Sequence, residues 1–449
     1  MKKFNQWLQQ ARLTPPQFIL ILLSVLILGG SVMLTLPFVT NSGIRTPFLD
    51  ALFTATSALC VTGQATLNTM EHWNYFGRTI IIILIEIGGL GFMTLWTSLF
   101  MILGRRINMQ QFKIMQETLN IESVSDILPV TRYILYFSLV VQLLGAGLLS
   151  IDFIPRLGLS KGIYYSLFHS ISAYCNAGFD LFGDSMISFQ TNPYVLTIIM
   201  LLIISGGLGF IVWRDIFTYR QNGNLLIHTR IVLIMTGILL FGGTLLFYLS
   251  EMGNQAFGDL PWYKQIFDFL FLAVTPRTAG FANVDYQVLQ PASVFLTLIL
   301  MFIGGASGST AGGFKITSLF VIVLYAVRSL QRKDTTIFRR TISRDVVDKS
   351  VFMLIAGVAL VIVGSFVLLM TETIPAGFGF EYILMEVFSC FGTVGLTMGM
   401  TPNLTAIGKL VLIILMLIGR MGLLTFFWSF APKAEEFELK YPKTNIMVG

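Results

Sequence analysis

Four short polar stretches, each closing on a glycine, interrupt hydrophobic sequence at nearly regular intervals: Cys60-Val61-Thr62-Gly63, Cys175-Asn176-Ala177-Gly178, Arg277-Thr278-Ala279-Gly280 and Gly392-Thr393-Val394-Gly395. The glycines are 115, 102 and 115 residues apart, so the 449 residues divide into four similar units, 1–110, 111–222, 223–335 and 336–449. A repeat of this kind sets the architecture before any single residue is interpreted. Irregular backbone at membrane depth is tolerated only where protein buries it or it lines a watery cavity, because lipid offers its N–H and C=O groups no partner. Four copies therefore predict one shared cavity on a fourfold pseudo-axis, a pore.

The membrane setting follows from composition: 55% of residues are hydrophobic, 12% are charged and the mean hydropathy is +0.78. A helix crosses the hydrocarbon core with about 20 apolar residues. Eight such spans are predicted, at about Phe18–Val39, Phe76–Leu103, Ile134–Ile154, Tyr194–Val212, Ile231–Leu249, Val294–Val327, Val351–Met370 and Ile407–Phe430. Between each odd span and the next lies a segment too short to cross: Phe48–Leu59, Ile163–Tyr174, Trp262–Val274 and Tyr382–Phe391. The fold class expected is an all-α integral membrane protein of four helix, re-entrant loop, helix repeats around a central pore.

Placing both termini and the loops near 104–132, 214–230 and 328–349 on one side collects 20 of the 29 Lys and Arg there, which marks it as cytoplasmic. The opposite face is mildly acidic and favours cations. Met1-Lys2-Lys3 opens a basic lead without a cleavage site, read as a cytoplasmic foot. Cys60, Cys175 and Cys390 are dispersed beside the glycine stretches and read as small packing residues, not as a disulfide framework. His72, His169 and His228 lack the spacing of a metal site.

Each short segment, entering from outside, points the partly negative C-terminal end of a half-helix at mid-membrane, where it stabilises a desolvated cation. Hydroxyl residues such as Ser57, Ser172 and Ser389 end these helices. The stretch before each glycine supplies carbonyls, and glycine permits the positive φ that lets successive carbonyls face one axis. Rings of carbonyls replace the hydration shell of a monovalent cation.

Thr393-Val394-Gly395 is the start of the potassium-channel filter sequence, and the other three stretches look like degenerate versions of it. The set resembles the Trk/Ktr/HKT superfamily of potassium transporters over essentially the entire chain, and specifically the KtrB type of membrane subunit. The resemblance implies a filter of Val61, Thr62, Gly63, Asn176, Ala177, Gly178, Thr278, Ala279, Gly280, Thr393, Val394 and Gly395, with potassium held by their backbone carbonyls. Glycine in all four positions implies potassium as the substrate. None of the stretches continues into Tyr-Gly, since Gln64, Phe179, Phe281 and Leu396 follow, so fewer carbonyl rings are expected than in a tetrameric channel. The resemblance also implies a homodimer seated on a cytosolic nucleotide-binding ring of KtrA or KtrC type, in a bacterial cell membrane. The nucleotide belongs to that ring and this chain needs no cofactor; sodium dependence is left open. The basic loop Arg328–Lys349 and the tail Lys433–Gly449 are the expected docking surfaces, though anionic membrane lipid explains the same charges. Nothing points to nucleic acid.

Twenty-four residues past the filter glycine, the third unit reaches Gly304 and the fourth Gly419. The third reads Gly304-Gly305-Ala306-Ser307-Gly308-Ser309-Thr310-Ala311-Gly312-Gly313-Phe314-Lys315. Glycine costs about 1 kcal/mol against alanine in a helix, so this run breaks the span into a loop, which the resemblance identifies as an intramembrane gate. Its glycine spacing mimics a phosphate-binding loop, but Phe314 stands where that motif needs lysine. Lys315 either contacts the loop or marks the return towards cytoplasm. Arg420, deep in an apolar helix, carries an insertion cost of at least about 2.5 kcal/mol and is expected to face the pore and the loop. Arg277 is expected to brace the back of the filter against an acidic residue. The Gly88-Gly89 and Gly206-Gly207 pairs are expected to seat inner helices around the filters. Glu86 needs a polar partner inside its span, and Asp180 and Asp285 either attract cations at the outer mouth or are simply solvated. A cation-coupled secondary transporter, driven by sodium or protons, is the competing class. A membrane enzyme lacks any nucleophile, base and metal cluster that could be brought together.

Overall fold

The computed structural model describes residues 14–91, 127–258 and 260–431. The basic lead, the first inner span beyond Gly91 and the tail from Lys433 lie outside the described residues. A long helix, a short helix and a second apolar helix follow one another in each of the four units. The first unit has α1 (Pro15–Thr35), α2 (Phe48–Leu59) and α3 (Tyr75–Gly89); the second has α4 (Ile127–Leu157), α5 (Leu159–Tyr174), α6 (Pro193–Leu208) and α7 (Phe210–Asn222). The third has α8 (Ile227–Ser250), α9 (Trp262–Val274), α10 (Pro291–Phe302) and α11 (Ile316–Leu330). A small hairpin, β1 (Thr336–Ile337) with β2 (Arg340–Thr341), leads into α12 (Arg344–Thr371), α13 (Glu381–Gly392), α14 (Ala406–Met421) and α15 (Leu423–Phe430).

The outer helices α1, α4, α8 and α12 are long and apolar enough to cross a bilayer unbroken. On α8 the side chains of Ile234, Ile238, Phe241 and Leu245 recur at helical spacing and stand exposed, as a lipid-facing stripe does. The short helices α2 and α9 begin directly after Pro47 and Pro261, whose fixed φ suits a helix start.

The inner helices of the second and fourth units correct the expectation of continuous spans there. α6 and α7 meet at 91°, and α14 and α15 at 106°. The bends lie at Gly209 (φ 94°, ψ 149°) and Gly422 (φ 83°, ψ 142°), conformations that belong to glycine. The third inner helix is broken between α10 and α11, and α3 ends two residues before Gly91, which also has positive φ. Composition alone conceals these bends, because the flanking residues stay apolar.

Three residues before each of these bend glycines sits another whose role is packing. A Cβ on Gly88, Gly206 or Gly419 would run into the carbonyl of Leu59, Tyr174 or Phe391, at the C-terminal end of the short helix of the same unit. The inner helices of the first, second and fourth units thus lie backbone to backbone on their own half-helices, the seating predicted for the Gly88 and Gly206 pairs. The circuit closes where Gln17 Nε2 on α1 donates to the Ser429 carbonyl on α15 at 3.1 Å.

Gly206→Ala is expected to cost about 1–3 kcal/mol through overpacking, lowering membrane abundance and thermal stability. Gly237→Ala, on α8 with nothing within 4 Å of the added methyl, is the matched control and should leave both unchanged. Equal behaviour of the two variants in a thermal aggregation assay would exclude the backbone seat.

Candidate functional site: four glycine turns and the loop beneath them

The four glycine stretches meet in a closed ring. A Cβ on Gly63 would lie 3.1 Å from Gly178 Cα, one on Gly178 3.1 Å from Gly280 Cα, one on Gly280 3.1 Å from Gly395 Cα and one on Gly395 3.1 Å from Gly63 Cα. Each would also strike the carbonyl of the residue before its neighbour, in turn Ala177, Ala279, Val394 and Thr62. The backbone repeats as well. All four glycines have positive φ, from 68° to 100°, and so do Val61, Asn176, Thr278 and Thr393, two residues before them. This alternation of hand along the strand is what aims successive carbonyls to one side.

Carbonyl acceptors near the ends of the short helices hold the N–H groups backwards. Thr62, Ala177 and Val394 donate to the carbonyls of Ser57, Ser172 and Ser389 at 2.8, 2.7 and 2.8 Å, and Ala279 donates to Thr275 at 3.0 Å. The third turn is one residue tighter, so Gly280 N–H shares the Thr275 carbonyl at 3.3 Å. Ser172 and Thr275 hydroxyls hold the exits by donating to Phe179 and Phe281 carbonyls at 2.8 and 2.6 Å. Thr275 completes the set of hydroxyl anchors of which the sequence revealed three. Among the described residues no protein donor reaches the carbonyls of residues 61–63, 176–178, 278–280 or 393–395. Those acceptors remain available to a cation.

Behind the ring lie polar contacts that the sequence reading missed. Glu386 on α13 is fully buried and accepts Gln64 Nε2 at 2.6 Å and Thr401 Oγ1 at 3.0 Å, with Thr397 Oγ1 a further donor. Cys390 Sγ lies 2.6 Å from Gln64 Oε1. This cluster fastens the fourth unit to the first. Glu86 receives Gln142 Nε2 at 2.9 Å and Cys175 Sγ at 3.4 Å, which supplies its missing partner and fastens the first unit to the second. Glu386 interrupts an apolar run as Glu86 does, so the same signal could have found it. The buried His169 ring accepts Leu181 N–H at Nε2, 3.3 Å, while Nδ1 donates to the Tyr165 carbonyl at 2.7 Å. Thr278 Oγ1 lies 3.1 Å from the Asn176 amide, whose nitrogen in the satisfied orientation donates to the Ile203 and Ala173 carbonyls.

Arg277 lies behind the turns as expected, but its acidic partner does not exist among the described residues; Nη2 donates to Thr236 Oγ1 at 3.3 Å. Asp180 turns its carboxylate onto the N–H groups of Phe182 and Gly183, at 2.9 and 2.6 Å, and Asp285 caps Gln287 N–H at 3.0 Å. Both stabilise local turns of the outer loops.

Residues 303–315 form the non-helical link expected in the third unit, and it runs beneath the ring. Gly304 N–H donates to Phe314 O at 2.7 Å and Ile316 N–H to Gly305 O at 3.2 Å, clasping the base of the loop. On one side Ala306 and Thr310 N–H groups donate to Gly207 and Gly206 on α6, and Phe210 N–H donates to Gly308 O at 3.0 Å. On the other, Gly313 N–H donates to Gly419 O on α14 at 3.2 Å. A Cβ on Gly312 would collide with the Thr393 side chain, so the loop touches the fourth turn directly. Ser309 Oγ closes an internal turn on Ala306 O at 2.7 Å, Ser307 Oγ pairs with Thr317 at 3.2 Å, and Ala311 N–H bonds Ser309 Oγ at 3.2 Å. Lys315 belongs to the loop, its Nζ donating to Ala311 and Gly312 carbonyls at 2.7 and 3.4 Å. Arg420 reaches across, giving Nη1 to the Thr310 carbonyl and Nη2 to the carbonyls of Gly88 and Gly89. Its charge thus sits on the negative end of α3.

Residues 3–439 match the model of the TrkH family, described as cation transport protein. The chain is 47% identical over 441 residues to the potassium/sodium uptake protein NtpJ of Enterococcus hirae, covering 98% of each. It is 40% identical to Ktr system potassium uptake protein B of Bacillus subtilis, covering 98% of this chain and 97% of the relative. The crystal structure of the potassium transporter TrkH from Vibrio parahaemolyticus superposes with a TM-score of 0.73 at 20% identity, over 92% of this chain and 84% of that one. The four-unit helical fold and the match along nearly the whole length have one meaning: the chain belongs to the TrkH family of cation transport proteins.

Proposed function

We propose that this chain is the membrane subunit of a potassium uptake system, passing the ion through a single-chain pore that the four glycine turns select and the 303–315 loop gates. The observation that carries the reading is the ring of mutually contacting glycines whose neighbouring carbonyls have no protein donor among the described residues. Carbonyls held this way replace water around a monovalent cation. The four units 1–110, 111–222, 223–335 and 336–449 each contribute one turn. The names of the relatives support potassium as the ion, and the Ktr name supports a multi-subunit system. The chain then acts as a homodimer on a cytosolic nucleotide-binding ring, in a bacterial cell membrane with both termini cytoplasmic. A sodium-coupled mechanism is the second reading, favoured by the potassium/sodium name of one relative. Potassium uptake in a transport-deficient bacterium, with and without a co-expressed cytosolic subunit, tests the main reading. Reversal potentials that follow sodium or proton gradients as well as potassium would establish the second.

Gly63→Ser tests the turns. An L side chain at φ 91° carries backbone strain of about 1–3 kcal/mol and collides with the Ala177 carbonyl. Because about 1.4 kcal/mol corresponds to a tenfold change, potassium preference over sodium should fall by about that factor. Unchanged uptake kinetics for both ions at normal abundance would remove the filter assignment.

Two variants test the loop. Deleting Ser307–Gly312 removes the obstruction, and Arg420→Ala removes charged hydrogen bonds of about 1.5–3 kcal/mol each that tie the Thr310 carbonyl to the first inner helix. Maximal potassium flux should rise several-fold in both, even without a cytosolic partner. Normal membrane abundance with unchanged or reduced flux would make the loop and Arg420 structural braces.

A further inference from the structure

Two seams behind the ring are occupied by carboxylates, Glu86 between the first and second units and Glu386 between the fourth and first. The seam between the second and third carries the opposite charge. Arg277 stands three residues before Gly280 and is 7% exposed. Its Nη2 meets Thr236 Oγ1, and its Nε has no hydrogen-bond partner among the described residues. Beside it lies a cavity of about 10 Å³, lined by Ile203, Ile204, Gly207, Leu208, Thr236 and Val274. That is room for a single water and for no counter-ion side chain. The ion pairs among the described residues join Arg156 to Asp152 and Lys409 to Asp50 and leave Arg277 uncompensated.

A guanidinium stays protonated in protein surroundings, and its field in a low-dielectric wall is weakly screened. Its position one residue before Thr278 directs that field at the third turn. Arg420 gives its charge directly to the carbonyls that end α3, whereas the guanidinium of Arg277 donates only to the Thr236 hydroxyl among the described residues.

We propose that Arg277 is an affinity-setting residue: its uncompensated positive charge behind the third turn weakens cation binding in the ring and so speeds release. Conduction needs sites that bind well enough to fill and weakly enough to empty, and the charge sets that balance without touching the ion. The inference rests on the reading of the four turns as the filter.

The test measures KM and maximal rate of potassium uptake, with membrane abundance, for Arg277→Gln, Arg277→Lys and Thr236→Asp. Arg277→Gln removes the charge, and Thr236→Asp supplies a carboxylate to the guanidinium in place. Both should lower KM by about tenfold, the scale of one charge across protein, and reduce the maximal rate. Arg277→Lys keeps the charge but loses the planar fork, and should hold KM within about twofold of the parent. Equal KM shifts in the Gln and Lys variants would overturn the proposal in favour of a bracing role. So would an unchanged KM in Thr236→Asp at normal abundance, which also decides the matter if Arg277→Gln does not reach the membrane. Gly63→Ser in the same assay separates the two failures. If it alters selectivity while the Arg277 and Thr236 variants leave KM alone, the filter stands and the affinity role falls; if it alters nothing, the filter reading itself falls.

Discussion

A bilayer offers the backbone no hydrogen-bond partners, and this chain must nevertheless hold non-helical backbone at its centre. The structure meets that demand by directing donors and acceptors differently. At the glycine turns the N–H groups fold back onto the ends of α2, α5, α9 and α13, while the carbonyls have no protein donors among the described residues. In the loop beneath, the same demand is met by fastening: N–H groups and carbonyls bind the glycine-lined surfaces of α6 and α14, and Arg420 covers two further sets of carbonyls. One region leaves its carbonyls without protein donors among the described residues, and the other has them bound.

The seating of inner helices on half-helices makes this arrangement possible. Gly88, Gly206 and Gly419 let carbonyls at the ends of three half-helices press against helix backbone, where any side chain would push them away. The bends three residues later turn the chain out from under the ring. Space is thereby cleared for the loop of the third unit, whose own inner helix is interrupted at the equivalent place. Glu86 with Gln142, and Glu386 with Gln64 and Thr401, lock the seams with hydrogen bonds in surroundings where an unpaired carboxylate would be costly.

Much of this was legible in the residues. The short helices Phe48–Leu59 and Trp262–Val274 have the bounds read from the sequence, because proline marks their starts and a polar break marks their ends. The α5 start was misplaced by four residues, since Lys161 and Gly162 look like a terminus yet lie inside the helix. The bends at Gly209 and Gly422 were not legible: a glycine in an apolar run is equally compatible with packing, and only the backbone reveals which glycine turns. Pairings across the ring were hidden for a different reason. Gln64 and Glu386 are 322 residues apart, and no local pattern records such a contact. Arg277 was expected to face an acidic partner that it lacks among the described residues, because a buried charge ordinarily implies its opposite.

The ring of glycines also explains why the four stretches can differ so freely. Where each Cβ would be, the next unit's backbone already lies, so the circumference is a chain of main-chain contacts in which no side chain takes part. A hoop built in this way has its gauge fixed by covalent geometry and by the absence of four methyl-sized groups, not by rotamers. Val61, Asn176, Thr278 and Thr393 can therefore be apolar, amide or hydroxyl without resizing it, and each wall is left to be specialised separately: carboxylates behind two seams, a guanidinium behind another, a non-helical loop beneath from the third unit. A single chain with four unequal quarters has that liberty, whereas four copies of an identical subunit must repeat every change around the circle.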